Sequence, residues 1–402
     1  MLRDLNSTHL MQKSSESDMT DNEPLRATMA SPKTKADETF AAKSEVAPKV
    51  ELRRRGALQQ IVLNRPKALN AFDDEMRLTI ANEIPNIARN PDIYITAITS
   101  ASPKAFCAGG DVRALTREAR ENIGLVKSYF QGEYSLNWLL ECFSKPTVSF
   151  INGICMGSGA GLSCYNTHRI AGENYKFAMP ETAIGLFPDV GVAHVLAKLP
   201  WPIGLYLGLT GRIIERADAY WLGLATHCIN ASAYEDILEK LADSQPVDPM
   251  LDGMHQDQGA GPLQGEQTMI EDLFSGGSLA EIISELDEAS GASATFAEKT
   301  LSDLLKKSPL SLAITDRHIR ECRNLDLRQT LIQDYRLAVR CLEASDFYEG
   351  VRAALIDKDG KPVWSPSSLD QVTDDMTAAY FKPLGPDDLI LPSRDQMQAA
   401  RV

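Results

Sequence analysis

No uninterrupted apolar run in this 402-residue chain reaches the roughly 18 residues needed to cross a bilayer, and no secretory apolar segment opens it. No membrane partner is expected. No Cys-x-x-Cys occurs, and no cysteine–histidine cluster has zinc spacing, so no metal is expected. The seven cysteines are scattered and odd in number, which points to a reducing compartment. Positive charge is in deficit, with 41 Lys and Arg against 55 Asp and Glu. The resulting net charge of −14 disfavours nucleic acid and anionic membranes as partners, although a local basic patch can still hold a phosphate. No Gly-Lys-Ser/Thr completes a phosphate loop, and Gly157-Ser-Gly-Ala-Gly161 departs from the dinucleotide spacing. A serine-hydrolase elbow is missing too, and His168 and His194, the nearest candidate bases, lack its context.

What remains is ordinary globular composition, 44% hydrophobic and 24% charged, at a length that fits one large domain with an appendage. Residues 1–48 are polar, rich in Ser, Thr and Lys, and without periodicity, the signature of a disordered tail. Asp4, Glu16, Asp18, Asp21 and Glu23 set it apart from a mitochondrial transit peptide, which favours the cytoplasm over the mitochondrial matrix. From residue 49 to 242 strand and helix patterns alternate. Strands are predicted at 57–63, 93–99 and 147–151, and helices at 73–88, with a kink at Pro85, and at 123–142. This alternation argues for an α/β core with mostly parallel pairing. Residues 243–266 read as a polar loop. Residues 267–384 read as a helical C-terminal region with an extension, and 385–402 as a tail.

Two glycine segments, Lys104–Asp111 and Asn152–Leu162, each follow a strand and precede a helix. Glycine there lets backbone N–H groups approach a ligand, and one N–H from each segment can grip a single carbonyl oxygen. Downstream, Phe177–Gly191 places Glu181 and Asp189 among Met179, Ile184, Leu186, Phe187 and Val190. Apolar surroundings raise a carboxyl pKa toward the range useful for acid–base work. The competing reading is structural: tight packing for the glycines, a helix cap for Glu181 and a turn for Asp189.

Leu63-Asn-Arg-Pro-Lys-Ala-Leu-Asn-Ala71, the two glycine segments and Met179–Gly191 together resemble the crotonase (enoyl-CoA hydratase/isomerase) superfamily. The resemblance implies a (ββα)n spiral core and an acyl-CoA thioester as small-molecule substrate. CoA enters as part of that substrate, with no separate cofactor. By position it implies backbone N–H groups of Ala108 and Ser158 on the thioester oxygen. Gly109, Gly110, Asp111, Gly157 and Glu133 would line the site, with Arg65, Lys67, Lys104 and Arg113 in loops that face the CoA. Hydratases of the superfamily use two glutamates. The first falls at Gly161 and is missing, while the second matches Glu181. The wording PETAIGLFPDVG, Glu133 with the residues after it, and the segment 346–359 resemble the 3-hydroxyisobutyryl-CoA hydrolase branch, which acts in valine breakdown. Thioester hydrolysis by Glu181, as nucleophile or as base on water, with Asp189 on the substrate hydroxyl or on water, is the expectation. A one-glutamate isomerase and a non-catalytic binding subunit are the alternatives. The superfamily also makes a homo-oligomer possible.

Overall fold

The structure is a computed structural model that describes residues 47–402. The tail expected over residues 1–48 therefore lies outside the described residues, apart from its last two. Strands β1 (Val50–Arg55) and β2 (Leu58–Leu63) pair antiparallel. The Arg53-Arg54-Arg55 run lies on the sheet edge, where charge discourages pairing with another chain. Three units of strand, strand and helix follow. Helix α1 (Asp74–Arg89) leads into β3 (Ile95–Ser100) and β4 (Ala105–Cys107), then α2 (Val112–Glu121) and α3 (Ile123–Cys142). Next come β5 (Thr147–Ile151), β6 (Ile154–Met156) and α4 (Ser158–Ser163). The third unit is β7 (His168–Ala171), β8 (Lys176–Ala178) and a 3-10 helix over Glu181–Ile184. The first strand of each unit joins a six-stranded sheet ordered β1-β2-β3-β5-β7-β9, with β9 at His227–Cys228. The second strand of each joins a three-stranded sheet, β4-β6-β8. Every pair but β1–β2 is parallel. This is the crotonase-like spiral, and it sets all three unit ends, where strand yields to helix, side by side.

All six residues of β2 are buried, because the large sheet is covered on both faces. Ile61, Leu63 and Ile98 face α1 and α3, while Leu58, Ile95, Val148 and Phe150 face the opposite way. Helix α1 runs unbroken through Pro85, burying Met76, Ile80, Ile84 and Ile87 on one face. Beyond the core lie α5 (Val192–Lys198), α6 (Ile203–Thr210), α7 (Arg216–Trp221) and α8 (Tyr234–Ala242).

Two segments differ from the sequence reading. Residues 243–266 hold α9 (Val247–Met254) and α10 (Pro262–Gly265) rather than one polar loop. Val247 and Leu251 pack with α8 against the second sheet face, and Leu263 is fully buried. Two buried apolar side chains in α9 and one in α10 are too few to show in a polar composition. Helices α11 (Gln267–Phe274), α12 (Leu279–Glu288), α13 (Ala294–Leu304), α14 (Pro309–Cys322), α15 (Leu327–Glu343), α16 (Ser345–Val351) and α17 (Asp374–Phe381) build the expected C-terminal region. Residues 385–402 are not a loose tail. They carry α18 (Arg394–Ala399), opened by a Ser393/Gln396 capping box, and bury Leu389, Leu391, Met397 and Val402. The Trp138 indole N–H, on α3, donates to the Pro392 carbonyl at 2.9 Å and anchors that end. All seven cysteines are free.

Candidate active site

The first glycine segment connects β4 to α2, and the loop after β2 shapes it. Phe72 N–H donates to Gly109 O at 2.8 Å, and Asp111 N–H to Phe72 O at 2.9 Å. Ala108 N–H, implied to face the thioester oxygen, already donates to Leu69 O at 3.1 Å. The Gly110 N–H, two residues on, makes no hydrogen bond among the described residues. A side chain at Gly110 would place its first carbon 3.4 Å from Ser158 Oγ and 3.6 Å from the Tyr129 hydroxyl. Gly110 thus faces the second glycine segment, and the Ala108 assignment moves to Gly110.

The second segment connects β6 to α4. Gly157 precedes the helix at φ +48°, ψ −121°, a conformation closed to other residues. A side chain there would also lie 3.1 Å from Glu181 Oε1 and 3.3 Å from Gly109 Cα. Gly157 is therefore the point where the two loops and the carboxylate converge. Ser158 stands first in α4, where the N–H has no helical partner.

Glu181 opens the 3-10 helix after Pro180. It is buried, and Oε2 lacks any hydrogen-bond partner. Burial pushes its pKa to about 8, opposed by its own backbone N–H and by the Lys307 cation. Glu133, on α3, is likewise buried, with Oε1 unpartnered. Burial raises it to about 7 against the nearby Ser158 hydroxyl, the Arg77 charge and the Tyr129 hydroxyl. Asp189 accepts a 2.9 Å hydrogen bond from Tyr134. Burial holds it well above the usual carboxyl range, and the charges of Glu133, Glu181 and Asp334 push it further the same way. Three carboxyls so close in a dry site cannot all ionise, and they share protons at neutral pH.

Of the residues singled out from sequence, the fold brings Glu133, Gly109, Gly110, Gly157, Ser158, Glu181 and Asp189 together. Arg65 and Asp111 do other work. The Arg65 guanidinium binds Asp111 at 2.9 Å, Asp73 at 3.5 Å and the Ala71 carbonyl, clamping the β2 loop to the start of α2. Asp111 also caps α2 through Ala114 N–H. Lys104 is exposed, and its carbonyl accepts from Ile154 N–H at 3.1 Å, joining the two glycine segments.

The missing hydratase glutamate has a steric counterpart. A first side-chain carbon at Gly161 would stand 2.8 Å from Asn137 Nδ2 and 2.9 Å from Val190 Cβ. That space is filled. Sequence reading passed over Tyr129 and Lys307, and it used Tyr134 and Asn137 only as part of the resemblance, with no role for either. Tyr129, Glu133 and Asn137 recur every four residues on a largely buried helix, a polar stripe that was a usable signal. Lys307 offers no such signal.

A cavity of about 900 Å³ opens beside Ala183 and carries Arg212, Lys299, Lys306 and Lys307. None of the three carboxyls lines it. Those carboxyls lie instead at the junction of the glycine loops. Among the described residues no group of histidine, cysteine and carboxylate side chains has metal-site geometry.

Comparison with known proteins agrees with this construction. The enoyl-CoA hydratase/isomerase family model matches residues 58–381. The mitochondrial 3-hydroxyisobutyryl-CoA hydrolase of Xenopus tropicalis is 41% identical over 350 residues, covering 85% of this chain and 90% of that protein. The Homo sapiens protein of the same name is 38% identical over 356 residues, covering 86% and 92%. Among solved structures, a carnitinyl-CoA dehydratase from Mycobacterium thermoresistibile superposes with a TM-score of 0.80 at 31% identity, over 85% of this chain and 98% of that one. An enoyl-CoA hydratase from Rhodobacter sphaeroides gives 0.79 at 34% identity, over 85% and 100%. The chain belongs to the enoyl-CoA hydratase/isomerase family, in the company of the 3-hydroxyisobutyryl-CoA hydrolases.

Proposed function

We propose that the protein hydrolyses the thioester of 3-hydroxyisobutyryl-CoA to the free acid and CoA, a step of valine breakdown. The observation that carries this reading is one buried carboxyl, Glu181, against the glycine loops, with the second hydratase position at Gly161 sterically closed. The N–H groups of Gly110 and Ser158 receive the thioester oxygen and stabilise the negative charge that develops on it. Glu181, once ionised, either attacks the carbonyl carbon, expelling the CoA thiolate and leaving an acyl–Glu181 anhydride that water then cleaves to the free acid, or takes a proton from the water that attacks the carbonyl; in both routes the proton given up by water ends on the departing CoA thiolate. Asp189, oriented by Tyr134, holds the substrate hydroxyl or that water. Lys67 and Lys104, exposed on loops near Gly110, and Arg113, exposed in the first turn of α2 rather than in the loop expected for it, attract the CoA phosphates. No metal or separate cofactor takes part. The relatives are mitochondrial by name, which favours the mitochondrial matrix over the cytoplasm expected from the acidic N-terminal residues.

The test is CoA release from 3-hydroxyisobutyryl-CoA, followed with a thiol reagent, with crotonyl-CoA hydration measured in parallel on the wild type and Glu181→Gln. Release that the substitution abolishes, without hydration, supports the hydrolase. Hydration without release refutes it.

A further inference from the structure

Asp189 sits on a turn whose backbone is unusual. Val190 has φ +51°, a left-handed conformation that a β-branched residue rarely adopts, and Gly191 follows at φ +74°. Such a turn persists only when its surroundings hold it. The Tyr165 hydroxyl donates to Val190 O at 2.5 Å, and Val192 N–H to Asp189 O at 2.9 Å. The third support comes from the C-terminal helices. Asp334 on α15 accepts the Gly191 N–H at 2.7 Å through Oδ2, while its Oδ1 lies 2.6 Å from Nε2 of His318 on α14. Both side chains are fully buried.

The hydrogen pattern orients the imidazole. Gln333 Nε2 donates one hydrogen to Glu321 Oε2 at 2.9 Å and faces His318 Nδ1 at 3.0 Å with the other. Nε2–H donates to Asp334 whether the ring is neutral or charged, and against its burial the neighbouring Cys322 and Asp334 raise the His318 pKa to about 10. The same imidazole meets the Phe187 ring edge to face, with centroids 5.5 Å apart. The segment Phe187–Gly191 is thus gripped at one end by the imidazole and at the other by the carboxylate, with Asp189 between them. A buried ionic or polar pair is poor value for stability compared with apolar packing, so its use here calls for a different role.

We propose that Asp334 and His318 are positioning residues for the hydrolytic reaction, holding the strained Asp189–Val190–Gly191 turn so that the Asp189 carboxyl stays on the substrate. This rests on the hydrolase reading, with Asp189 in contact with substrate or water. Neither residue touches the reacting atoms. They act through the Gly191 amide and the Phe187 ring.

The test joins a kinetic cycle with an exchange measurement on the full chain. Asp334→Asn is made alone and with Asp189→Asn, alongside His318→Leu and His318→Gln. Gln keeps a nitrogen donor near the Nε2 position. Expected is a tenfold or greater fall in kcat for Asp334→Asn and His318→Leu with KM changed less than threefold, and recovery of most of the loss in His318→Gln. In the Asp189→Asn background Asp334→Asn costs nothing further, because both act through one group. Peptide-level hydrogen exchange should show residues 187–192 losing protection in Asp334→Asn while the strands of the large sheet keep theirs. Losses that multiply in the double variant, or a folded Asp334→Asn with wild-type kcat, overturn the proposal. Should Asp334→Asn fail to fold, the His318 pair decides it in the same way. A wild type silent on 3-hydroxyisobutyryl-CoA sinks the hydrolase reading. The exchange result then still stands alone, because unchanged protection at 187–192 refutes the anchoring whatever the substrate.

Discussion

Replacing Glu181 with Gln should make the protein more stable, by an amount that grows with pH. In the folded state the carboxyl pKa rises from 4.5 to about 8 because burial penalises the charged form. In the unfolded chain it returns to the ordinary value. The sign follows directly. Between the two values the folded protein keeps a proton that the unfolded chain has released, so the proton's contribution to folding is complete below pH 4.5 and is lost as pH rises toward about 8. At 1.36 kcal/mol per pH step, the wild type carries a penalty of under about 1 kcal/mol at pH 5 and of roughly 3 kcal/mol at pH 7. Glutamine has the same shape and does not titrate, so it carries none. At roughly 2 °C per kcal/mol for a large domain, the difference in Tm between variant and wild type should widen by about 5 °C from pH 5 to pH 7. Thermal unfolding of both proteins across that range measures it; groups away from the site cancel in the difference, while Asp189, which the Glu181 charge pushes up, titrates lower in the variant. A Tm difference that is constant over pH 5–8, or that narrows, would refute the claim that Glu181 is held protonated by burial. The same substitution should abolish CoA release, so stability and catalysis should move in opposite directions at this position.

The remaining predictions are briefer. If Glu181 acts as the ionised carboxylate, kcat/KM should climb with pH through about 8, read from a pH–rate profile at substrate well below KM; a flat profile from pH 6 to 9 counts against Glu181 as nucleophile or base. Gly161→Glu should not install a hydratase. Its first carbon meets Val190 and Asn137, so overpacking of roughly 1–3 kcal/mol or more should appear in urea unfolding, with no crotonyl-CoA hydration. Tyr134→Phe removes the hydrogen bond to Asp189 in a buried site and should lower kcat with a stability loss of about 1–2 kcal/mol; wild-type kcat would mean that Asp189 needs no orientation. Arg65→Ala breaks the clamp among Asp73, Ala71 and Asp111, and should raise KM for the acyl-CoA through a loosened Gly110 loop rather than through a lost phosphate contact. A salt dependence of KM as steep as in the wild type would bear that out.

Much of this protein is determined locally, and such features were readable in advance. The strand over 147–151 and the helix over 327–343 stand where their apolar periods put them. Glycine at a strand-to-helix junction has few physical uses, so the two loops announced a backbone site. Glu181 among Met179, Ile184 and Leu186 announced a carboxyl with a raised pKa. Other features belong to pairs of segments distant in the chain, and no window of sequence contains them. Ala108 and Gly110 are equivalent candidates as letters. Only the carbonyl of Leu69, reaching across from another loop, occupies the Ala108 N–H and leaves that of Gly110. Arg65 reads as a cation for a phosphate until the fold sets two aspartates against it. Helix α9 and the end after residue 385 are too polar to look like core, yet each lays a few apolar side chains on a surface built elsewhere. The turn at Asp189 is the sharpest instance. The sequence by itself determined that a carboxyl, a valine and a glycine stand in a row. A left-handed valine is stable only because Tyr165 and Asp334, one 25 residues before it and the other on a helix far downstream, satisfy the backbone it exposes. Propensity and periodicity act over a few residues, whereas hydrogen bonds to the main chain and the exclusion of water act between whichever surfaces tertiary packing brings together.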